Sequence, residues 1–481
     1  MPAVRVAIIG AGFSGIGMAC GLLRTGVTEF VVLERGREVG GTWRDNVYPG
    51  AACDIPADLY SFSFAPNPDW SHRYPRQAEL LAYLREVADR FGVTPHIAFG
   101  TEVTSAEWDE VERQWTIATD TATWTADVLV SGAGPFVDPA WPAIPGFDAF
   151  DGPRVHTARW DPSLELAGRT VAVLGTGASA IQLVPELRRR GARVLVVQRT
   201  APWVVPRHDP ATTERRRRSF RRAPWRQRVA RALVFARQEL NFPAFAIPLI
   251  GRIAEGSYRR RLRREVAEPA LRERLTPRFR IGCKRILISS DWYPALVSPE
   301  VELLTEAVER IEGDAFVTAD GSRHRADVLV AATGFHVTSP PIAARIRARG
   351  AALAERWTPH GSALRGTTVS GFPNLFLLIG PNTALGHNSM VYVIEAQIRY
   401  VLQALDRLDG RGARTLEATP EAERAYGDRL DRALSRSVWQ RGGCVSYYQA
   451  ADGANSTIWP HSAAAFGRAV ARLHPREYRW T

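Results

Sequence analysis

The apolar residues nearest the start of the chain form one run, Val4-Arg5-Val6-Ala7-Ile8-Ile9, that passes straight into glycines. An apolar run of this length, broken only by Arg5, reads as a buried strand. It opens a unit with a definite grammar: strand, GAGFSG (Gly10 to Gly15), helix, and a second apolar strand FVVLE ending on Glu34. The grammar returns at Thr170 to Leu174, followed by GTGASA (Gly175 to Ala180), a helix, and RVLVVQR ending at Arg199. Each is a strand-helix-strand unit with a dinucleotide fingerprint. Each also has a matching close, ADVLVSGAG (Ala126 to Gly134) after the first and ADVLVAATG (Ala326 to Gly334) after the second.

Between the units runs PFVDPAWPAIPGFDAFDGPRVHTARWDP, whose prolines and aromatics suit a crossing between domains better than a helix or strand. After the second close comes another buried-looking strand, NLFLLIGPN (Asn374 to Asn382), then a helix from Met390. The simplest place for that strand is back in the first sheet. The expected fold is therefore α/β, with two Rossmann-like domains, the second inserted into the first, and a helical insertion within the second. The expected boundaries are 1–145 and 337–481 for the outer domain, 146–336 for the inner one, and about 209–276 for the helices.

Composition changes this picture only in places. At 45% apolar and 23% charged, the 481 residues are ordinary globular material, and no stretch approaches the ~20 apolar residues needed to span a bilayer. The start lacks the form of a secretory leader, so a cytoplasmic protein is expected. Cys20, Cys53, Cys283 and Cys444 lie far apart without a C-x-x-C pair, which disfavours a disulfide framework, a redox pair or a zinc site. The net charge of +12 comes largely from one segment, since ten arginines lie between Arg215 and Arg237. One reading is a solvated helical face with Phe220, Trp225, Val229 and Leu233 packed inward. The other is a patch for an acidic partner or a membrane surface. No nucleic-acid motif accompanies the segment, and no nucleic-acid partner is expected. The chain holds one lysine, Lys284, among 61 arginines.

The glycine loops carry the first chemistry. Gly10 makes the tight turn, Gly12 lets a pyrophosphate approach the backbone, and Gly15 lets helix and strand pack closely. The helix N-terminus then offers free N–H groups to the phosphates, and Glu34 can accept hydrogen bonds from an adenosine ribose. In the second unit, Gly175 and Gly177 repeat the pattern, with Ala180 as third residue. Its second strand ends in Arg199-Thr200 where the first ends in Glu34. A carboxylate would repel a 2′-phosphate, whereas a guanidinium and a hydroxyl can bind one. The second site reads as NADP(H) and the first as FAD or NAD, which implies hydride transfer from nicotinamide to flavin.

Several segments resemble one family. GGTWRDNVYPGAACD (Gly40 to Asp54) is similar to the flavin-side segment of type I Baeyer–Villiger monooxygenases. FDGPRVHTARWD fits their fingerprint F-x-G-x-x-x-H-x-x-x-W-P/D through Phe150, Gly152, His156 and Trp160. CKR followed by SDWYPAL (Cys283 to Leu296) and the tail GCVSYYQAADGANSTIWP (Gly443 to Pro460) also resemble the family, although many relatives carry tryptophan before tyrosine where this chain has Tyr447-Tyr448. That departure bears on the pocket's shape, not the reaction class.

The resemblance implies roles residue by residue. Arg285 falls on the catalytic arginine, which stabilises the flavin peroxide and its oxyanionic adduct with a ketone. Asp54 falls on the aspartate that orients it. Lys284 joins Arg199 and Thr200 at the NADPH 2′-phosphate. Thr42, Trp43, Tyr60 and Met390 match flavin-contacting positions, while His156 and Trp160 act in domain coupling. His387, near Asn388, is a candidate for a substrate-facing segment or an ordinary loop residue. The implied activity consumes NADPH and O2, uses FAD, and inserts oxygen beside a ketone carbonyl to give an ester or lactone. The alternative is oxygenation of sulfur or nitrogen through the same peroxide. The identity of the ketone and the oligomeric state stay open.

Overall fold

The first apolar run becomes the strand Ala3–Ile9, in a nine-stranded sheet of a computed structural model that describes residues 1–481. It pairs in parallel with Phe30–Glu34 on one side and Thr123–Ser131 on the other, and Phe30–Glu34 pairs in turn with Ile97–Phe99. Thr123–Ser131 serves two neighbours in succession. Its first half pairs antiparallel with Gln114–Thr119, while Leu129 to Ser131 pair in parallel with Leu375–Leu377. The apolar LVS end of that strand is buried on both faces, as a central strand requires.

The second sheet has five parallel strands, in the order Val301–Leu304, Arg193–Val197, Thr170–Leu174, Val328–Ala331 and Arg154–His156. All lie in sequence between Thr123–Ser131 and Ile346–Ala348 of the first sheet, so one α/β unit is inserted into the other. The fold is thus the nested pair of Rossmann-like sheets that the two repeated units predict.

Packing explains how the ends of the chain close around the first sheet. The helix Phe13–Arg24 lies against the helix Met390–Arg411, and the contact runs over glycines. A Cβ on Gly17 would stand 2.9 Å from Ile398 Cδ1, and one on Gly21 would stand 3.0 Å from Ile398 Cγ2. Ile16 and Phe376 of the same core are wholly buried. Each such side chain contributes roughly 1.5–3 kcal/mol of burial free energy.

Two expectations are overturned here. Cys283 and Cys444 form a disulfide across a sequence separation of 161 residues. Spacing could not reveal it, because the pairing depends on the tail folding back over the second unit. Cys20 and Cys53 are buried free thiols. The helical insertion consists mainly of Glu214–Arg222, Pro224–Glu239, Pro248–Glu265 and Pro269–Arg274. Phe220 is buried as expected, but Trp225, Val229 and Leu233 are 60%, 47% and 66% exposed. They do share one helix face, and that face looks outward. The inward face is built instead from Gln227, Val234 and Phe235. No helix is long and apolar enough to cross a membrane.

Candidate active site

The turn after Ala3–Ile9 sets up the first half of the site. Gly10 has φ +93°, which favours glycine. A Cβ on Gly15 would lie 1.8 Å from the Gly10 carbonyl oxygen, so only glycine lets the helix start that close to the strand. The segment after Gly40 docks on this loop through the Gly40 N–H to Ala11 O bond (2.9 Å), and a Cβ on Gly41 would stand 3.2 Å from Gly12 Cα. Glu34 is buried at the end of its strand. Its carboxylate accepts from Ala11 N, Gly36 N and Arg44 Nη1, each at 2.7 Å. Burial works against the charge of Arg44, but Asp45 and Glu34 outweigh it and raise its pKa.

A cavity of about 320 Å³ runs from Gly10, Gly12 and Glu34 past Thr42, Trp43 and Tyr60 to Arg285 and Met390. Trp43 Nε1 donates to Tyr60 Oη (3.3 Å), and their rings meet edge to face at 5.7 Å. Burial raises the pKa of Tyr60, so its hydroxyl stays protonated. Tyr447 and Tyr448 close the far wall with their hydroxyls 3.2 Å apart. A glycine-walled turn, an acidic strand end and a long, largely apolar cleft fit a flavin dinucleotide. Its pyrophosphate would lie at Gly10 to Gly15 and its ring among Trp43, Tyr60 and Arg285.

The second motif lies outside this cavity. Gly175 has φ +111°, while Gly177 faces open space where a phosphate could approach. Ala180 is fully buried, so its Cβ is accommodated where the first unit requires Gly15. Arg199 is exposed, and the Thr200 carbonyl accepts from Thr176 Oγ1 (3.2 Å). Lys284 is half-buried with its Nζ 5.2 Å from the centre of the Phe279 ring. Burial and then the Arg199 charge lower the Lys284 pKa. Two cations that repel one another across a gap suit a dianion between them, as the 2′-phosphate of NADPH would be.

Asp54 and Arg285 are 231 residues apart and meet where the two units touch. Arg285 Nε donates to Asp54 Oδ2 (2.9 Å) and Nη2 to the same oxygen, which leaves Nη1 outside the pair. The Asp54 charge raises the Arg285 pKa well above its usual value. What holds the pair in register is a residue that sequence reasoning passed over. Gln182, on the helix Ala178–Arg189, accepts from Tyr48 Oη (2.8 Å) and donates to Ala52 O (3.0 Å). The loop carrying Asp54 is thereby pinned to the second unit, and a Cβ on Gly50 would stand 2.7 Å from Gln182 O. The disulfide sits beside the same arginine: Cys283 lies two residues before it, and Cys444 three residues before Tyr447.

The fingerprint supplies an edge strand and a crossing. Arg154–His156 pairs with the end of Val328–Ala331, and a Cβ on Gly152 would fall 2.4 Å from Asp327 O. Phe150 and Trp160 are buried in different core clusters of the second unit. His156 is fully buried between Trp141 (5.3 Å) and Phe335 (5.9 Å), which belong to the outgoing and returning crossings. Those crossings are joined by Ala140 N to Gly334 O at 2.8 Å and Thr333 Oγ1 to Ala140 O at 2.6 Å. Burial lowers the His156 pKa to about 4. His387 is also buried, with Nε2 2.9 Å from Glu239 Oε1. Glu239 binds Asn388 and the backbone N–H groups of Ala463 and Ala464 as well. Sequence hides this role, since nothing local marks a lone glutamate at a helix end as a clamp.

These features define a two-dinucleotide flavoprotein, and comparison with known proteins agrees. Residues 7–217 match the family model of pyridine nucleotide-disulphide oxidoreductases. A Baeyer–Villiger monooxygenase of Streptomyces coelicolor is 47% identical over 99% of this chain and 92% of that relative. One of Pseudomonas aeruginosa is 40% identical over 97% and 89%. The structure of cyclohexanone monooxygenase from Rhodococcus sp. Phi1 bound to NADP+ superposes with a TM-score of 0.90 at 26% identity, covering 100% of this chain and 99% of that one. The chain belongs to the Baeyer–Villiger monooxygenase family.

Proposed function

We propose that this protein is an NADPH-dependent FAD monooxygenase that inserts one oxygen atom from O2 beside the carbonyl of a small-molecule ketone. The observation that carries this reading is Arg285, held by Asp54 on the wall of the cavity that fits the flavin. A bound FAD would supply hydride acceptance from NADPH and activation of O2. The chain's own residues do the rest. Gly10, Gly12 and Glu34 line the adenine end of FAD and Gly15 lets the helix start close behind them, while Thr42, Trp43, Tyr60 and Met390 line the ring end. Gly175, Gly177, Ala180, Arg199, Thr200 and Lys284 hold NADPH. Arg285, fixed by two donations to Asp54, presents permanent positive charge where a ketone oxygen becomes an oxyanion.

The crossing around Phe150, Gly152, His156 and Trp160 couples the units, taken as 1–145 with 337–481 and 146–336. An apolar wall limits water at the reacting atoms. A cytoplasmic location belongs to the same reading, because NADPH must be supplied continuously. Sulfur or nitrogen oxygenation needs no cation poised at a developing oxyanion, so Arg285 favours the ketone reaction.

The test is product analysis under ¹⁸O2 with NADPH and a panel of ketones. One labelled oxygen per ester, formed in step with NADPH oxidation, is expected. NADPH oxidation that yields only hydrogen peroxide with every ketone would sink the reading.

A further inference from the structure

The arginine-rich insertion lines no part of the flavin cavity, yet its surface is unusual. On the helix Pro224–Glu239, the solvent side carries Trp225, Val229, Ala232, Leu233 and Ala236, continued by Leu240. Their spacing places them on one stripe. The chain then turns and exposes Ile247, Leu249, Ile250 and Ile253 at the start of the next long helix. Eight of the 17 large apolar side chains exposed on the whole molecule fall between residues 225 and 253.

Around this apolar strip the charge is nearly all of one sign. Residues 215–264 contain 16 arginines and two acidic residues, Glu239 and Glu255. Both glutamates are engaged, Glu239 with His387 and Asn388, Glu255 with Arg280. Arg222, Arg226, Arg228, Arg237, Arg252 and Arg259 are exposed and form no ion pair. A cleft lined by Arg252, Arg259, Arg278 and Arg280, with Glu255 at its side, opens beside the apolar tip at Ile253.

We infer that this face docks on the surface of an anionic lipid bilayer. An exposed apolar stripe with a tryptophan, flanked by unpaired arginines, has the chemistry of a helix lying in the headgroup plane. A second copy of the chain fits poorly, because two such faces would oppose their uncompensated arginines. The inner side of the same helix gives docking a use. There Phe235 packs on Tyr392 at 4.8 Å, Arg231 Nη2 lies 3.1 Å from Glu395 Oε2, and Glu239 holds His387. The bilayer would thus lie about one helix diameter, ~10 Å, from the segment that lines the cavity at Leu385 and Met390. An apolar ketone dissolved in the membrane would be delivered close to the site.

The experiment is co-sedimentation of the full-length, FAD-loaded protein with vesicles of phosphatidylcholine alone or with roughly 30% phosphatidylglycerol. Binding to the anionic vesicles should be at least about tenfold tighter and should weaken with added salt. The triple variant Trp225→Ser, Leu233→Ser, Leu249→Ser and the triple variant Arg226→Gln, Arg228→Gln, Arg237→Gln should each lose about tenfold or more, with FAD content and ketone turnover in detergent-free buffer unchanged. Three results would each overturn the proposal: no difference between the two vesicle types, full binding by the serine variant, or a concentration-dependent dimer in light scattering that the serine variant abolishes.

Discussion

Replacing Asp54 by asparagine removes one charge and almost no volume, and it isolates what the carboxylate does for Arg285. At about 4 Å and an effective dielectric of ~20, the pair's gross attraction is roughly 4 kcal/mol. Both side chains keep about a quarter of their exposure, 29% and 26%, so solvent screens part of that attraction. A net value of about 1.5–3 kcal/mol, typical of hydrogen bonds to charged groups, is the better expectation. The amide oxygen of asparagine can still accept one of the two donations now made to Oδ2, but it no longer holds the guanidinium by charge. If orientation of Arg285 matters only when an oxyanion develops, the loss falls on ester formation. We expect kcat for the ketone to drop about tenfold to hundredfold. Anaerobic reduction of the flavin by NADPH, followed by stopped-flow absorbance, should change less than about threefold, because hydride transfer develops no such charge at Arg285. Arg285→Ala should cost more, about 10²–10³-fold, while leaving reduction similarly intact. Equal loss in both half-reactions would refute the reasoning, since the pair would then be holding the two units together and nothing more. So would an unchanged ester rate.

Other consequences are as direct. Lys284→Ala and Arg199→Ala should each lower kcat/KM for NADPH by about tenfold to hundredfold and leave NADH nearly unaffected, the loss expected for one ionic hydrogen bond to a phosphate. The Lys284 pKa lies below 10.5, so the preference for NADPH over NADH should fall as pH rises through that depressed value, and this decline should vanish in Lys284→Ala. Gly15→Ala places a Cβ 1.8 Å from a backbone oxygen and should yield protein without bound flavin, read from its absorbance spectrum. His156 titrates near 4 when folded and near 6.5 when unfolded, so the unfolded chain binds the extra proton between those values. Stability should therefore be lost as pH falls from about 6.5 to about 4, and His156→Gln should flatten this part of the profile in thermal melts at pH 4.5 and 7. Reducing the Cys283–Cys444 bond, or Cys444→Ser, should free the tail and raise the KM for ketone more than that for NADPH, because Tyr447 and Tyr448 line the flavin cavity.

The parts of this molecule legible in one dimension are those specified by local pattern. Apolar runs marked the strands Ala3–Ile9 and Thr170–Leu174, and glycine spacing marked the tight turns at Gly10 and Gly175. The strand-like NLFLLIGPN after the second close even indicated that the first sheet resumes there, and Leu375–Leu377 does pair with Thr123–Ser131. What stayed hidden depends on contacts across long separations. Cys283 and Cys444 share no spacing rule; Gln182 is an ordinary polar residue on a helix until Tyr48 and Ala52 arrive against it.

The insertion shows a different limit. Helical periodicity correctly groups Trp225, Val229 and Leu233 on one face, but periodicity says nothing about which face the rest of the molecule covers. Here the covering is decided by specific partners: Glu395 for Arg231, Tyr392 for Phe235, and the His387, Ala463 and Ala464 cluster for Glu239. Three anchors on the inward side leave the more hydrophobic side to solvent. For a helix whose only task was to fold, that choice runs against burial of roughly 25 cal/mol per Å² of apolar surface. An apolar face held outward by two polar anchors and one aromatic contact points to a surface with work to do away from the core.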